Sequence, residues 1–153
     1  MDDIWLQGKK ILVTGSLGFI GTHIVNRLPN SVVIKDSSNE KHIDLLNRNE
    51  VLNLKPVDIV IHTAFKLPQS NINEVAFYFE NNINGTLNVL KYCIKNKVKK
   101  LIFLSTYVYG NPKYSPVDEN HPINPHTAYT ESICHFFCIV GIYFGGDTRL
   151  RHD

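Results

Sequence analysis

Three glycines in the segment TGSLGFIG, Gly15, Gly18 and Gly21, are spaced so that backbone can close around a phosphate group. The apolar run Lys10 to Thr14 (KILVT) precedes them, and a helical pattern from Thr22 to Leu28, stopped at Pro29, follows. In that context each glycine has a task. Gly15 permits the tight turn, Gly18 lets backbone approach a pyrophosphate, and Gly21 lets the helix pack against the strand. The helix N-terminus then offers N–H groups and a partial positive charge to the anion. Phe19 and Ile20, between the second and third glycines, count with them as cofactor-binding positions. Asp36 follows the next strand, Ser31 to Lys35 (SVVIK), where a carboxylate can accept two hydrogen bonds from an adenosine ribose and repel a 2′-phosphate. This favours NAD over NADP, with Lys35 keeping NADP open. The competing readings are an ordinary glycine-rich turn and a turn-initiating Asp in DSSN.

These residues need strands and helices in alternation to hold them. Asp44 to Leu54 is a short crossover of helical tendency, Val57 to Thr63 (VDIVIHT) a third strand, and Lys100 to Ser105 (KLIFLS) a fourth. Val75, Phe79, Ile83, Leu87, Leu90 and Ile94 recur at helical spacing, which predicts one long helix over Glu74 to Lys97. Tyr107 to Asn124, with Pro112, Pro116 and Pro122, reads as a loop, and helix resumes near His126. Alternating strands and helices argue for the α/β class with a doubly wound parallel sheet. The usual order of such a sheet places Lys100 to Ser105 beside the first strand, as an edge, so that the sheet is incomplete at its C-terminal side.

Composition narrows the possible functions. At 153 residues the chain is about one domain, and 43% hydrophobic with 10% aromatic content supplies a core and excludes disordered or fibrous classes. A formal charge of +2 gives no footprint for nucleic acid, and Lys95, Lys97, Lys99 and Lys100 read as a solvated helix end. Cys93, Cys134 and Cys138 form no CxxC pair, so neither a disulfide framework nor a metal site is expected. The opening MDDIWLQGKK has no apolar signal region, and the expected location is the cytoplasm. From Ile133 to Gly146 the chain reads ICHFFCIVGIYFGG without a formally charged residue. That run is shorter than the ~20 residues that span a bilayer, so a buried helix is expected rather than a membrane segment.

Taken together, TGSLGFIG, Asp44-Leu45 in HIDLLN, IVIHTA, Asn82 in NINGTLNVL, FLSTYVYG and Tyr129 in PHTAYTES resemble the extended short-chain dehydrogenase/reductases. The closer resemblance is to the NAD-dependent epimerase/dehydratase family, which modifies nucleotide sugars. HIDLLNRNEVLNLKPVDIVIHTA looks most like its fucose-synthase and deoxysugar-reductase branch. The resemblance runs from Lys10 to about Ser132 and implies a Rossmann-type fold with NAD, or possible NADP, as cofactor. It implies that Asp44 and Leu45 flank the adenine, that Ala64 and Phe65 line the nicotinamide side of the pyrophosphate, and that Asn82 pins the long helix beside the site. The family's chemistry uses a Ser or Thr after the fourth strand, a Tyr, and a Lys four residues beyond it. Thr106 is then the substrate-binding hydroxyl, with Ser105 as the alternative, and Tyr129 the acid/base during hydride transfer. Without the family, Tyr129 reads as an aromatic core residue at a helix start.

The sequence departs from the family at Ile133, where the Lys is required. Residues four apart share a helix face, so Ile133 occupies the place from which an ammonium would reach cofactor and Tyr and favour tyrosinate. Nothing beyond Ser132 matches the pattern. The expected organisation is therefore a dinucleotide-binding domain over 1–132 and a divergent apolar segment over 133–153, C-terminally truncated and without a substrate domain. Two classes of function follow. One is a nucleotide-sugar epimerase, dehydratase or reductase that lacks full activity alone. The other is a non-catalytic dinucleotide-binding or partner-binding remnant. The implied partners are a nucleotide sugar and either a second copy or a complementing chain, with neither nucleic acid nor membrane.

Overall fold

The computed structural model describes residues 8–29, 33–35, 37–38, 41–68, 75–106, 108–118 and 120–135. The chain divides into two compact units, Met1–Lys66 with Asn84–Leu104, and Leu67–Ile83 with Ser105–Asp153.

In the first unit, β1 (Ile11–Thr14), β2 (Val33–Lys35), β5 (Ile59–His62) and β6 (Lys100–Phe103) form one parallel sheet in the order β2-β1-β5-β6. Between β2 and β5 lie β3 (Ser37–Ser38) and β4 (Lys41–His42), which pair with each other antiparallel. Register is fixed by Ile11 opposite both Val33 and Ile59, and by Val60 opposite Leu101. β1 and β5 are apolar because both faces of a central parallel strand are covered. Leu12 and Val60 face a core with Val51, Val57, Val89, Tyr92 and Cys93, while Ile11, Val13 and Ile59 face Val25. Those clusters come from α1 (Phe19–Arg27) on one side, and from α2 (Arg48–Leu52) and α4 (Gly85–Lys95) on the other.

The strand order corrects one expectation. β6 does not lie beside β1; β5 does, and β6 lies outside β5. The two short strands β3 and β4 occupy the stretch between β2 and β5, and IVIH then enters the sheet next to β1. Burial agrees with that placement: Ile59 and Val60 are buried as an inner strand requires, whereas Lys100 and Ile102 of β6 are exposed. Among the described residues β6 is paired on one side only.

Helix boundaries follow local chemistry. α1 starts at Phe19, three residues before the sequence pattern suggested, because the glycine turn leads straight into it. α2 is shorter than the Asp44 to Leu54 crossover: Asp44 Oδ1 accepts from Leu46 N at 2.9 Å and forms a turn, and Asn47 caps the helix by accepting from Glu50 N. The long helix exists but is not uniform. It runs as α3 (Val75–Tyr78), a π-helical stretch (Phe79–Asn84), then α4. α4 stops in a Schellman-type turn, with Val98 N bonded to Cys93 O at 2.9 Å, Lys97 N to Ile94 O at 3.2 Å, and Lys97 at φ 53°.

The second unit contains α3, most of the π-helical stretch, the loop that begins at Ser105 and a helix over residues 128–135. Val108, His121, Tyr129, Thr130, Ser132 and Ile133 are its buried residues in this part of the chain. Phe136 to Gly146, the greater part of the apolar tract, lies outside the described residues, as do Cys138 and Asp36.

Candidate functional site

The glycine turn is built as its spacing requires. Thr14 ends β1 fully buried, and Gly15 takes φ +71°, a left-handed conformation that a side chain strains. Gly18 N donates to Gly15 O at 2.9 Å, and Thr22 N donates to Gly18 O at 2.8 Å as α1 begins. A Cβ on Gly21 would run into the Gly15 carbonyl, so only glycine lets the helix seat against the turn. A Cβ on Gly15 would lie 2.9 Å from Thr63 Oγ1 and 3.0 Å from Ala64 N, which places the chain leaving β5 directly against the turn. Thr63 Oγ1 donates to Thr14 O at 2.7 Å and Thr22 Oγ1 to Ser16 O at 3.2 Å, fixing both sides. No side chain caps α1, and its first turn carries no acid. The helix dipole leaves a partial positive charge at this end. Phe19, 82% exposed, and Ile20 stand outward on its first turn.

Under the turn lies a residue that the sequence reading passed over as part of a strand. His62, the last residue of β5, is 0% exposed. Its Nδ1 meets Thr14 Oγ1 at 2.5 Å and its Nε2 meets Thr86 Oγ1, on α4, at 2.9 Å. Burial pushes its pKa down to about 3, so the ring is neutral and shares hydrogens with both hydroxyls. The signal for it was available: one polar side chain in an apolar run that is buried on both faces. Phe65 packs beside it, with ring centroids 5.0 Å from His62 and 5.1 Å from Phe103. Ala64 and Phe65 are half-buried at the C-terminal end of the sheet, where ligands of open α/β sheets bind.

Asp44 is exposed and its carboxylate is engaged in the turn to Leu46. Leu45 packs against the core cluster, and its carbonyl accepts from Asn88 Nδ2 at 2.9 Å. Its backbone is thus anchored to α4 while its side chain serves the core.

In the second unit, Ser105 is exposed, Thr106 half-buried and Tyr129 6% exposed. The helix that carries Tyr129 begins with reciprocal caps: Thr130 N donates to Thr127 Oγ1 at 3.1 Å, and Thr127 N donates to Thr130 Oγ1 at 3.0 Å. The Tyr129 ring stands edge-on to Tyr78 at 6.1 Å. Asn82 is buried in the π-helical stretch, a form of helix found often at functional sites, and its Nδ2 donates to Ser132 Oγ at 3.1 Å. Ser132 Oγ donates in turn to Tyr129 O at 2.7 Å. Asn82 therefore holds the helix of Tyr129 by a specific bond. Ile133 lies one turn beyond Tyr129 and is buried.

A parallel sheet with a glycine turn between its first strand and first helix is the Rossmann-type fold, and solved structures that resemble the chain agree. UDP-glucose 4-epimerase of Bifidobacterium longum, solved with NAD+ and UDP, superposes with a TM-score of 0.78 at 28% identity, covering 90% of this chain and 50% of that one. RMD of Pseudomonas aeruginosa, complexed with NADPH, gives 0.75 at 25% identity, covering 90% and 50%. A putative UDP-glucose 4-epimerase of Methanocaldococcus jannaschii is 40% identical over 139 residues, 78% of this chain and 46% of that protein. Residues 11–140 match the NAD dependent epimerase/dehydratase family, and the chain belongs to it. It spans about half the length of the relatives it matches.

Proposed function

We propose that this chain binds NAD across the β1–α1 turn and carries the Thr and Tyr of nucleotide-sugar hydride-transfer chemistry, without turning over sugar nucleotides by itself. The observation that carries the binding half is the seat made by Gly15 and Gly21, where a Cβ on either meets backbone. The described residues fit a dinucleotide, with the N-terminus of α1 for the pyrophosphate and Ala64 beside the turn, while Asp36, outside the described residues, is assigned to the ribose hydroxyls from the sequence. The complexes of relatives with NAD+ and with NADPH support the cofactor class, and Asp36 favours NAD within it.

When bound, the nicotinamide supplies hydride exchange with a sugar carbon. Thr106, or Ser105, holds the substrate oxygen, and the Tyr129 phenol takes or returns its proton. Asn82, through Ser132, holds the main chain of Tyr129 in place. The UDP-glucose 4-epimerase names of the relatives support a UDP-sugar as the substrate class. In this reading residues 1–132 form the dinucleotide-binding part, and the family match, which runs to residue 140, reaches eight residues into the segment expected to diverge. The proposed place of work is the cytoplasm, from the cysteine spacing of the sequence. Among the described residues no helix is long and apolar enough to cross a membrane.

A second reading, a non-catalytic dinucleotide-binding or partner-binding form, is favoured by one observation: Ile133, 1% exposed, fills the position of the family's lysine. Calorimetry with NAD and NADPH, followed by assays of UDP-glucose turnover in the wild-type chain and in Tyr129→Phe, tests both. NAD binding without turnover supports the proposal; no dinucleotide binding overturns it.

A further inference from the structure

The loop from Val108 to Pro125 joins the helix of Tyr129 to the segment of Thr106, and two histidines hold it in the same way. His121, buried, accepts the Lys113 N–H on Nε2 at 2.8 Å, while its Nδ1 donates to Pro122 O at 3.0 Å. His126 accepts the Asn111 N–H on its own Nε2 at 3.2 Å. Both bonds end on a single short turn, Asn111 to Lys113, and both use a ring nitrogen that must carry no hydrogen. Gly110, at φ +66°, makes the second bond possible, since a Cβ there would run into the His126 ring and Asn124 O. A third tie, Asn124 N to Val108 O at 2.9 Å, closes the base of the loop without involving a titratable group.

We propose that His121 and His126 form a proton-sensitive clasp on this loop. An imidazole that takes up a proton becomes a donor at both nitrogens and can no longer accept an amide, so acidification removes both bonds while leaving the base of the loop closed. The rings of Tyr109 and Tyr114 stand 5.5 and 4.7 Å from His121, and Tyr114 hydrogen-bonds the Asp118 carboxylate, an anion on the same loop as His121. Around His126, the Thr130 hydroxyl accepts its main-chain N–H and Gly110 packs against its ring. The clasp stands on the loop alone and holds whether or not the chain turns over a sugar nucleotide.

Amide hydrogen exchange of the full chain, read by NMR from pH 8 to pH 5 and corrected for intrinsic exchange, tests it. Protection at Asn111 and Lys113 should fall at least about fivefold more than at the sheet amides of Val13 and Val60, the ratio that losing one net hydrogen bond brings. The His121→Gln/His126→Gln chain keeps an acceptor at each position but cannot titrate, so its protection at the turn should be flat over that range. Loss at the turn that merely tracks the sheet, or an unchanged pH response in the double variant, overturns the clasp. Nitrogen-15 shifts of the wild-type rings give a second readout: both Nε2 atoms should gain hydrogen as the turn opens, and rings that stay neutral while it opens overturn the clasp equally.

Discussion

Tyr129 and Ile133 occupy successive turns of one helix, both buried, at 6% and 1% exposure. A lysine in the second position would bring an ammonium toward the first; an isoleucine brings hydrocarbon to the same face. The purified chain should therefore show no detectable turnover of UDP-, GDP- or dTDP-sugars in a coupled nicotinamide assay. Robust turnover that disappears in Tyr129→Phe would show that another cation acts in place of the family's lysine.

The seat of α1 makes Gly21 the least replaceable of the three glycines. Gly21→Ala drives a methyl into the Gly15 carbonyl, and the helix must shift to admit it. Overpacking against backbone costs about 1–3 kcal/mol or more, so the expected result is a lower midpoint in urea together with loss of NAD binding by calorimetry. Gly18→Ala, whose Cβ would lie 3.2 Å from Gly15 O, should be milder in stability.

The proposed function assigns the choice of cofactor to Asp36. Removing a charged acceptor of ribose hydroxyls costs roughly 1.5–3 kcal/mol, so Asp36→Ala should raise the Kd for NAD by about 10- to 150-fold while changing that for NADPH less. A wild-type chain that prefers NADPH would remove Asp36 from the site.

His62 ties stability to pH. Its folded pKa, near 3, lies below the ordinary value of 6.5, so between those two pH values the unfolded chain binds a proton that the folded chain does not. The stabilisation is fully present above pH 6.5 and falls as pH falls, by about 1.4 kcal/mol per pH unit. Urea titrations from pH 8 to pH 4 should show this slope in the wild type and a shallower one in His62→Gln; equal slopes would place the pH dependence elsewhere.

Among the described residues β6 is paired on one side only and its Ile102 is exposed, an arrangement that can template association. Analytical ultracentrifugation at micromolar concentration should detect self-association, reduced by Ile102→Lys. A clean monomer that melts cooperatively at high temperature would show that the edge is covered.

What was legible in the sequence was local. The glycine turn, the strand before it and the helix after it announce themselves because their residue types answer to backbone geometry within a few positions. Pairing was less so: β5 joins β1 across a stretch whose strands β3 and β4 are two residues each, too short for any periodicity, and the count of strands failed there. The π-helical turn at Phe79–Asn84 leaves no mark in apolar spacing. Asn82 was singled out by resemblance alone, since its partner Ser132 lies 50 residues away. His62 could have been found by asking why an inner strand ends in an imidazole.

The bond between Thr14 and His62 spans 48 residues of chain, and that distance is also a delay. At the usual pace of synthesis, about 5–20 residues per second, β1 leaves the ribosome roughly 2–10 s before its inner neighbour exists. Through that interval ILVT has α1 and then β2 for company, and one side of the strand that anchors the glycine turn stays open. Parallel pairing postpones its reward in this way, and the chain's most exposed moment comes while it is still being made.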